Sequence, residues 1–183
     1  MGAGAAMRVL VTGGVRSGKS RHAESLLATA AAVTYVAPGP AVDTVHDEWG
    51  DWAARIAAHR ASRPVSWSTL ETHDLAAALT TDGPVIVDCL GTWLTAVLDE
   101  HAMWEAPSAE ATDLVRGLVA EAAAAIGRRS AETVLVTNEA GLGVVPAHRS
   151  GRLFRDLLGL VNQRLAGSCD EVHLVIAGRV LVL

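Results

Sequence analysis

Apolar and polar positions along the chain follow two recurring patterns, short apolar runs and longer segments with apolar residues at helical spacing. The runs predict strands at residues 7–12, 33–36, 85–88 and 133–137, an edge strand at 65–67, and a terminal strand pair at 172–176 and 180–183. The spacing predicts helices from residue 18 to about 31, then at about 49–61, 71–79, 92–98, 109–128 and 147–165. This alternation indicates an α/β fold, with a mostly parallel sheet flanked by helices and a C-terminal strand pair.

Polar residues concentrate where the predicted strands end, in three loops at residues 13–20, 88–92 and 138–146. Ligands of parallel α/β sheets bind at the carboxyl ends of the strands. We therefore expect the functional site at this edge of the sheet. Asn138 and Glu139 follow a buried strand, and they either help to place substrate or metal or have a structural role at the strand end.

The first loop contains a complete phosphate-binding motif, G-x-x-x-x-G-K-[ST], preceded by a strand and followed by a helix. In such a loop, backbone N–H groups and the helix N-terminus bind phosphate oxygens, the lysine reaches the outer phosphates, and the serine hydroxyl binds Mg²⁺. We expect a P-loop NTPase-like fold and a nucleotide site rather than a chance glycine-rich turn. The motif residues are Gly13, Gly14, Val15, Arg16, Ser17, Gly18, Lys19 and Ser20.

Lysine usage supports this interpretation. The chain has 15 basic residues, and its only lysine is Lys19 of the motif. Arginine has replaced lysine everywhere except where a compact ammonium must fit a loop around a phosphate. Asp88, at the end of a buried strand, is the expected second ligand of Mg²⁺ beside Ser20, with helix capping as the alternative role.

Length and composition limit the class of protein and its possible partners further. With 183 residues, 50% hydrophobic and 19% charged, the chain fits one globular domain at residues 7–183 after a disordered leader at 1–6. A net charge of −5 argues against nucleic-acid binding. Apolar stretches are too short to span a membrane, and the leader lacks a secretory pattern, so we expect a cytoplasmic protein. Two cysteines without CxxC spacing suggest neither a disulfide nor a zinc site.

The motif alone leaves ATPases, kinases, GTP-driven switches and nucleotidyltransferases open. The guanine-reading NKxD motif of switch GTPases is missing, which lowers that class. Four further segments are more specific and distinguish between these classes of enzyme. They are the R-H-A-E continuation at 21–24, residues 53–56 with His59, Arg60, Arg63 and Pro64, the T-N-E-A-G-L-G-V-V-P block at 137–146, and residues 154–156 with 161–166.

Together these segments resemble the bifunctional adenosylcobinamide kinase/adenosylcobinamide-phosphate guanylyltransferase family of cobalamin biosynthesis, over nearly the whole chain and in the family's order. The resemblance implies phosphorylation of adenosylcobinamide by ATP or GTP. GMP from GTP is then transferred, through a guanylyl-histidine, onto the resulting adenosylcobinamide phosphate to give adenosylcobinamide-GDP. Neutral imidazole is a competent nucleophile for such a step. The resemblance also implies a homo-oligomer, a trimer in the family.

The position that matches the guanylylated histidine is His59. By spacing alone it shares a helical stripe with Trp52, Arg55 and Ile56 and would be interpreted as a packed side chain. Ala58 stands where some relatives have a second histidine. Further matches to positions that line the guanine nucleotide are Ala37, Pro38, Gly39, Arg60, Ala61, Ser62, Arg63, Glu71 and Asp88.

Some of these matches depart from the family pattern or have a simpler interpretation. Relatives often have small or hydroxyl residues at Pro38 and Gly39, and Glu at Asp88. The Glu71 carboxylate can accept from guanine N1 and N2, which adenine cannot match, or it is a solvated acid at a helix N-terminus. Two alternative functions remain at this point. A monofunctional P-loop small-molecule kinase would form no covalent nucleotide adduct, and a non-catalytic GTP-binding module would turn over no cobinamide.

Overall fold

A computed structural model describes residues 6–39 and 63–183. Within these ranges seven strands form one sheet in the order β3-β2-β4-β5-β1-β6-β7. All neighbours are parallel except β6 and β7, which are antiparallel. The strands are β1 (Arg8–Gly13), β2 (Thr34–Ala37), β3 (Ser68–Glu71), β4 (Val85–Asp88), β5 (Thr133–Val136), β6 (Glu171–Ile176) and β7 (Arg179–Val182). The predicted α/β class and C-terminal strand pair are confirmed.

Five helices connect these strands in the described ranges. They are α1 (Lys19–Leu26), α2 (Leu75–Ala78), α3 (Leu90–Glu100), α4 (Ser108–Arg128) and α5 (Arg149–Ala166). The predicted helix at 49–61 and residues 1–5 of the predicted leader lie outside the described residues. No helix in the described ranges is long and apolar enough to cross a membrane.

The central strands β1, β2, β4 and β5 are buried on both faces, and their alternate residues contribute to two separate cores. Leu10 of β1 and Leu135 of β5 pack with α2 to α5, whereas their neighbours Val9 and Val134 pack with α1. This period of two follows from the strand pleat, and burial on both faces explains why the strands are continuous apolar runs. The core therefore fixes the register in which the strand ends present their polar residues.

Three predicted boundaries are wrong. The first helix ends at Leu26 instead of about residue 31, and the chain continues in short turns towards β2. Residues 64–67 form a turn closed by the bond from Trp67 N to Pro64 O (3.0 Å), so the edge strand begins at Ser68 rather than at 65.

The third correction concerns Glu71, which was expected at a helix N-terminus. It is the last residue of edge strand β3, paired with Ala37 of β2. The helix begins four residues later, at Leu75, because Asp74 caps it by accepting a bond from Ala77 N at 2.9 Å.

Candidate nucleotide and phosphoryl-transfer site

The phosphate loop joins β1 to α1 and has the backbone geometry that the motif requires. Gly18 is the N-cap of α1 and adopts φ 96°, a left-handed conformation that favours glycine. A Cβ at Gly13 would lie 2.4 Å from the carbonyl oxygen of Val175, so β1 and β6 can approach each other only with glycine there. These two glycines let the loop turn back over the start of α1.

Hydrogen bonds hold the loop closed. Ser17 N donates to Gly14 O at 3.3 Å, and Gly178 N, in the turn between β6 and β7, donates to Ser17 O at 2.8 Å. The ammonium of Lys19 lies 3.4 Å from Gly14 O. It is thus folded along the inside of the loop, where bound phosphate oxygens are expected to meet it.

Asp88 ends β4 on the same edge of the sheet, separated from β1 by β5 alone. Its Oδ2 accepts a 2.9 Å hydrogen bond from the hydroxyl of Tyr35, a residue of β2 that is 2% exposed. The pKa of Tyr35 is raised, first by burial and then by the Asp88 charge. The tyrosine therefore stays protonated and donates to the carboxylate.

Ser20 and Asp88 fit a magnesium ion chemically. Hydroxyl and carboxylate oxygens are ligands that Mg²⁺ prefers, and Mg²⁺ commonly binds through one or two protein oxygens together with substrate phosphates. Residues 6–39 and 63–183 contain no group of three or more His, Cys, Asp or Glu that could hold a metal. A site that shares its ion with a nucleotide does not need such a group.

The side chain of Arg63 packs against Tyr35, the donor to Asp88. Its guanidinium carbon lies 3.2 Å from the Tyr35 ring centroid, and its Nε lies 4.0 Å from Glu24 Oε1 on α1. The Arg63 side chain is 8% exposed. Arg63 is thus directed into the protein, where it links the phosphate-loop helix to the tyrosine that holds Asp88.

The ends of β2 and β3 bring two of the predicted guanine-contact positions together. Ala37 and Glu71 are register partners, and Val36 pairs with Val87, the residue before Asp88. Pro38 and Gly39 follow Ala37 directly. His59, Arg60, Ala61 and Ser62 lie outside the described residues, so their predicted roles are untested.

Asn138 and Glu139 follow β5, which lies between β1 with the phosphate loop and β4 with Asp88. Glu139 N donates to Gly13 O at 3.1 Å, which joins the loop after β5 to the phosphate loop. Asn138 O accepts from Asn162 Nδ2 on α5 at 3.1 Å, and its side-chain oxygen lies 3.5 Å from Cys89 Sγ. Both residues thus have structural contacts in addition to any contact with substrate.

A pair of histidines joins the phosphate-loop helix to β6. His22 Nε2 of α1 lies 2.8 Å from His173 Nδ1 of β6, and His173 Nε2 lies 2.7 Å from Glu171 Oε2. Burial and the neighbouring His173 lower the pKa of His22. The contact between His22 and His173 therefore connects α1 to β6.

Sequence reasoning missed Tyr35, Glu24 and Gly178 as parts of the site. Tyr35 had a compositional signal, because it is the only tyrosine in the chain. The contacts of Glu24 and Gly178 depend on strand order, which no local motif shows.

This combination of a parallel sheet, a closed phosphate loop and a strand-end carboxylate defines a P-loop nucleotide-binding enzyme of the phosphoryl-transfer class. Comparison with known proteins specifies the class. Residues 9–183 match the family described as CobU, cobinamide kinase / cobinamide phosphate guanyltransferase. The chain belongs to this family and is a bifunctional enzyme of cobalamin biosynthesis with both activities.

Curated relatives agree along nearly their full lengths. The chain is 40% identical to the bifunctional adenosylcobalamin biosynthesis protein CobU of Salmonella typhimurium strain LT2, over 94% of this chain and 97% of the relative. It is 39% identical to CobU of Escherichia coli K12, with the same coverage. It is also 39% identical to CobP of Pseudomonas aeruginosa PAO1, over 94% of each chain.

Proposed function

We propose that the kinase reaction takes place at the phosphate loop, with ATP or GTP as donor and adenosylcobinamide as acceptor. The loop binds phosphates through backbone N–H groups and Lys19 and reads no base, so either triphosphate can serve. The acceptor hydroxyl oxygen attacks the terminal phosphorus and gives its proton up to water. The bond to the bridging oxygen breaks, and a nucleoside diphosphate leaves. The closed loop, with Asp88 held two strands away, is the observation that carries this proposal.

Mg²⁺ would be held by Ser20 and Asp88 and by the nucleotide itself. The ion supplies neutralisation of the charge that develops on the phosphate oxygens. The contribution of the protein is orientation, because the Tyr35 hydroxyl fixes one oxygen of Asp88 and Arg63 packs over the tyrosine ring.

For the second reaction we propose His59 as the nucleophile. Its imidazole attacks the α-phosphorus of GTP, pyrophosphate leaves, and a guanylyl-histidine forms. A phosphate oxygen of adenosylcobinamide phosphate then attacks the same phosphorus, the bond to the imidazole breaks, and adenosylcobinamide-GDP is released. The support for His59 is its position in the family pattern, four residues before Arg63.

Guanine selection belongs to residues at the ends of β2 and β3 in this proposal. Glu71 would accept from guanine N1 and N2, and Ala37, Pro38 and Gly39 would pack against the nucleotide. Pairing of Ala37 with Glu71 supports a shared role. We assign Arg60, Ala61 and Ser62 to the same nucleotide on the resemblance, whereas the inward direction of Arg63 favours a positioning role.

The wider predictions rest on the family. We propose that residues 7–183 act as one domain, since a single sheet runs through the described part. A homo-oligomer, trimeric by resemblance, and a cytoplasmic location stay predictions.

Labelled GTP tests the covalent step. Protein incubated with GTP labelled at the α-phosphate should acquire an acid-labile, base-stable adduct, and the His59→Ala variant should not. The same variant should still transfer label from the γ-phosphate to adenosylcobinamide, because that transfer depends on the loop and on positioning. An adduct that survives the substitution would move the nucleophile elsewhere, and a wild-type protein without adduct would overturn the covalent route.

A further inference from the structure

Four apolar side chains in the phosphate loop and in the loop after β5 are exposed to solvent. The bond from Glu139 N to Gly13 O joins these two loops at their starts. Val15 in the loop itself is 75% exposed, and Leu142, Val144 and Val145, in the loop after β5, are 84%, 95% and 58% exposed. These four residues are called the apolar rim below. Both loops follow adjacent strands at the carboxyl edge of the sheet. Grouped exposed apolar side chains at one place on a protein usually mark a binding surface.

The loop that carries most of the apolar rim is held at both ends. At its start Glu139 N bonds to Gly13 O at 3.1 Å, and Glu139 Oε1 accepts from Gly141 N at 2.6 Å. At its end Arg152 Nη1 donates to the carbonyls of Pro146 (3.0 Å) and Ala147 (2.6 Å). The exposed side chains are therefore presented by a loop with defined ends, which lowers the ordering cost of binding.

The position of the apolar rim limits what it can bind. The kinase activity requires the hydroxyl of cobinamide to reach a phosphate held by the loop that contains Val15. The remainder of this large substrate must lie on the surface next to that loop. A phosphate-binding loop needs no exposed valine or leucine for the nucleotide, whose contacts there are backbone N–H groups and Lys19.

The chemistry of a corrin ring matches this surface. Its edge carries methyl groups and uncharged carboxamide side chains. The methyl groups can pack on Leu142, Val144 and Val145. Gly143 has no side chain, and a Cβ there would meet no atom within 4 Å, so its backbone N–H and C=O groups are open to carboxamides.

We propose that the apolar rim binds the corrin ring of cobinamide and so places its hydroxyl at the phosphate loop. This inference rests on the kinase function described above and adds the acceptor-binding surface to it. Leu142 and Val144 are binding residues in this inference and take no part in bond making.

Serine substitutions of Val144 and Leu142 test the inference. Loss of one apolar contact should raise the Kd for cobinamide, measured by equilibrium dialysis, and its KM in the kinase assay by about tenfold. The KM for ATP and the guanylyl adduct formed from GTP without corrinoid should stay unchanged. Val144→Ile, which keeps the apolar surface, should retain cobinamide binding. The matched control is Leu181→Ser on β7, an apolar residue that is 55% exposed and lies outside the apolar rim.

Each other outcome has a distinct meaning. Unchanged cobinamide binding in both serine variants would overturn the inference while leaving the kinase function intact. A change in sedimentation coefficient without a change in cobinamide affinity would assign the apolar rim to contacts between protein chains, and would also overturn it. If the wild-type protein neither bound nor phosphorylated cobinamide, the kinase function would fail first and this inference with it.

Discussion

Removal of the Tyr35 hydroxyl is the sharpest test of how the site holds Asp88. Tyr35→Phe keeps the ring on which the Arg63 guanidinium packs at 3.2 Å, and deletes only the 2.9 Å hydrogen bond to Asp88 Oδ2. Because the acceptor is a half-buried carboxylate, the bond is worth about 1–3 kcal/mol. For a chain of this length, each kcal/mol lowers the melting temperature by about 2–4 °C.

The functional effect should depend on magnesium. Removing a group that orients a metal ligand typically weakens metal binding about 10- to 100-fold. We therefore expect Tyr35→Phe to weaken binding of a non-hydrolysable ATP analogue about tenfold when Mg²⁺ is present. Binding measured in EDTA should be nearly that of the wild type, since the loop and Lys19 are untouched. Isothermal titration calorimetry under both conditions provides the comparison.

Thr81→Val is the matched control. It deletes a hydroxyl whose 2.9 Å bond goes to Ala78 O, and Thr81 lies before β4, at the opposite edge of the sheet from Asp88. This variant should lose stability without a magnesium-dependent change in nucleotide affinity. Equal weakening of Tyr35→Phe with Mg²⁺ and in EDTA would refute the role given to Tyr35, and so would unchanged affinity under both conditions.

Three further predictions concern other parts of the site. Lys19→Arg should lower turnover of both reactions about a hundredfold, because a planar guanidinium does not fit inside the closed loop; steady-state kinetics at saturating nucleotide would detect it. Glu71→Gln should lower guanylylation by GTP about tenfold, with kinase activity from ATP nearly unchanged, and equal loss of both would indicate a folding defect. The lowered pKa of His22 favours its neutral form in the folded protein. As the pH drops below about 6.5, the unfolded chain therefore binds more protons than the folded protein, and the free energy of unfolding should fall. In urea unfolding across about pH 5–7, the free energy of unfolding of His22→Gln should depend less steeply on pH than that of the wild type. An unchanged slope would contradict this role of His22.

Local sequence patterns predicted the parts of the site that depend on neighbouring residues. The phosphate loop is one continuous motif, and Asp88 ends an apolar run, so the positions of both in the fold were predictable without knowledge of the strand order. The buried strands were also predictable, since burial on both faces requires continuous apolar runs.

The contacts that hold these parts together could not be predicted in the same way. The bond from Tyr35 to Asp88 depends on β2 lying beside β4, and the bond from Gly178 to the phosphate loop depends on β6 lying beside β1. Such adjacency follows from packing of the whole sheet. Glu71 was misplaced for a related reason, because the turn at 64–67 shifted the edge strand towards the C-terminus, and a short polar strand has little periodicity to mark it.

Strand order also explains how one edge can serve two reactions with different demands. From β1 to β3 the edge carries the phosphate loop, then Glu139, Asp88, Ala37 and Glu71. Four inter-strand steps of about 4.8 Å put some 19 Å between the first strand and the last. Phosphate recognition and the proposed guanine recognition are therefore separated along the edge. A donor bound only through its phosphates at β1 does not reach the proposed guanine contacts at β3. This separation supports the proposal that the kinase step takes either triphosphate while the transfer step takes GTP.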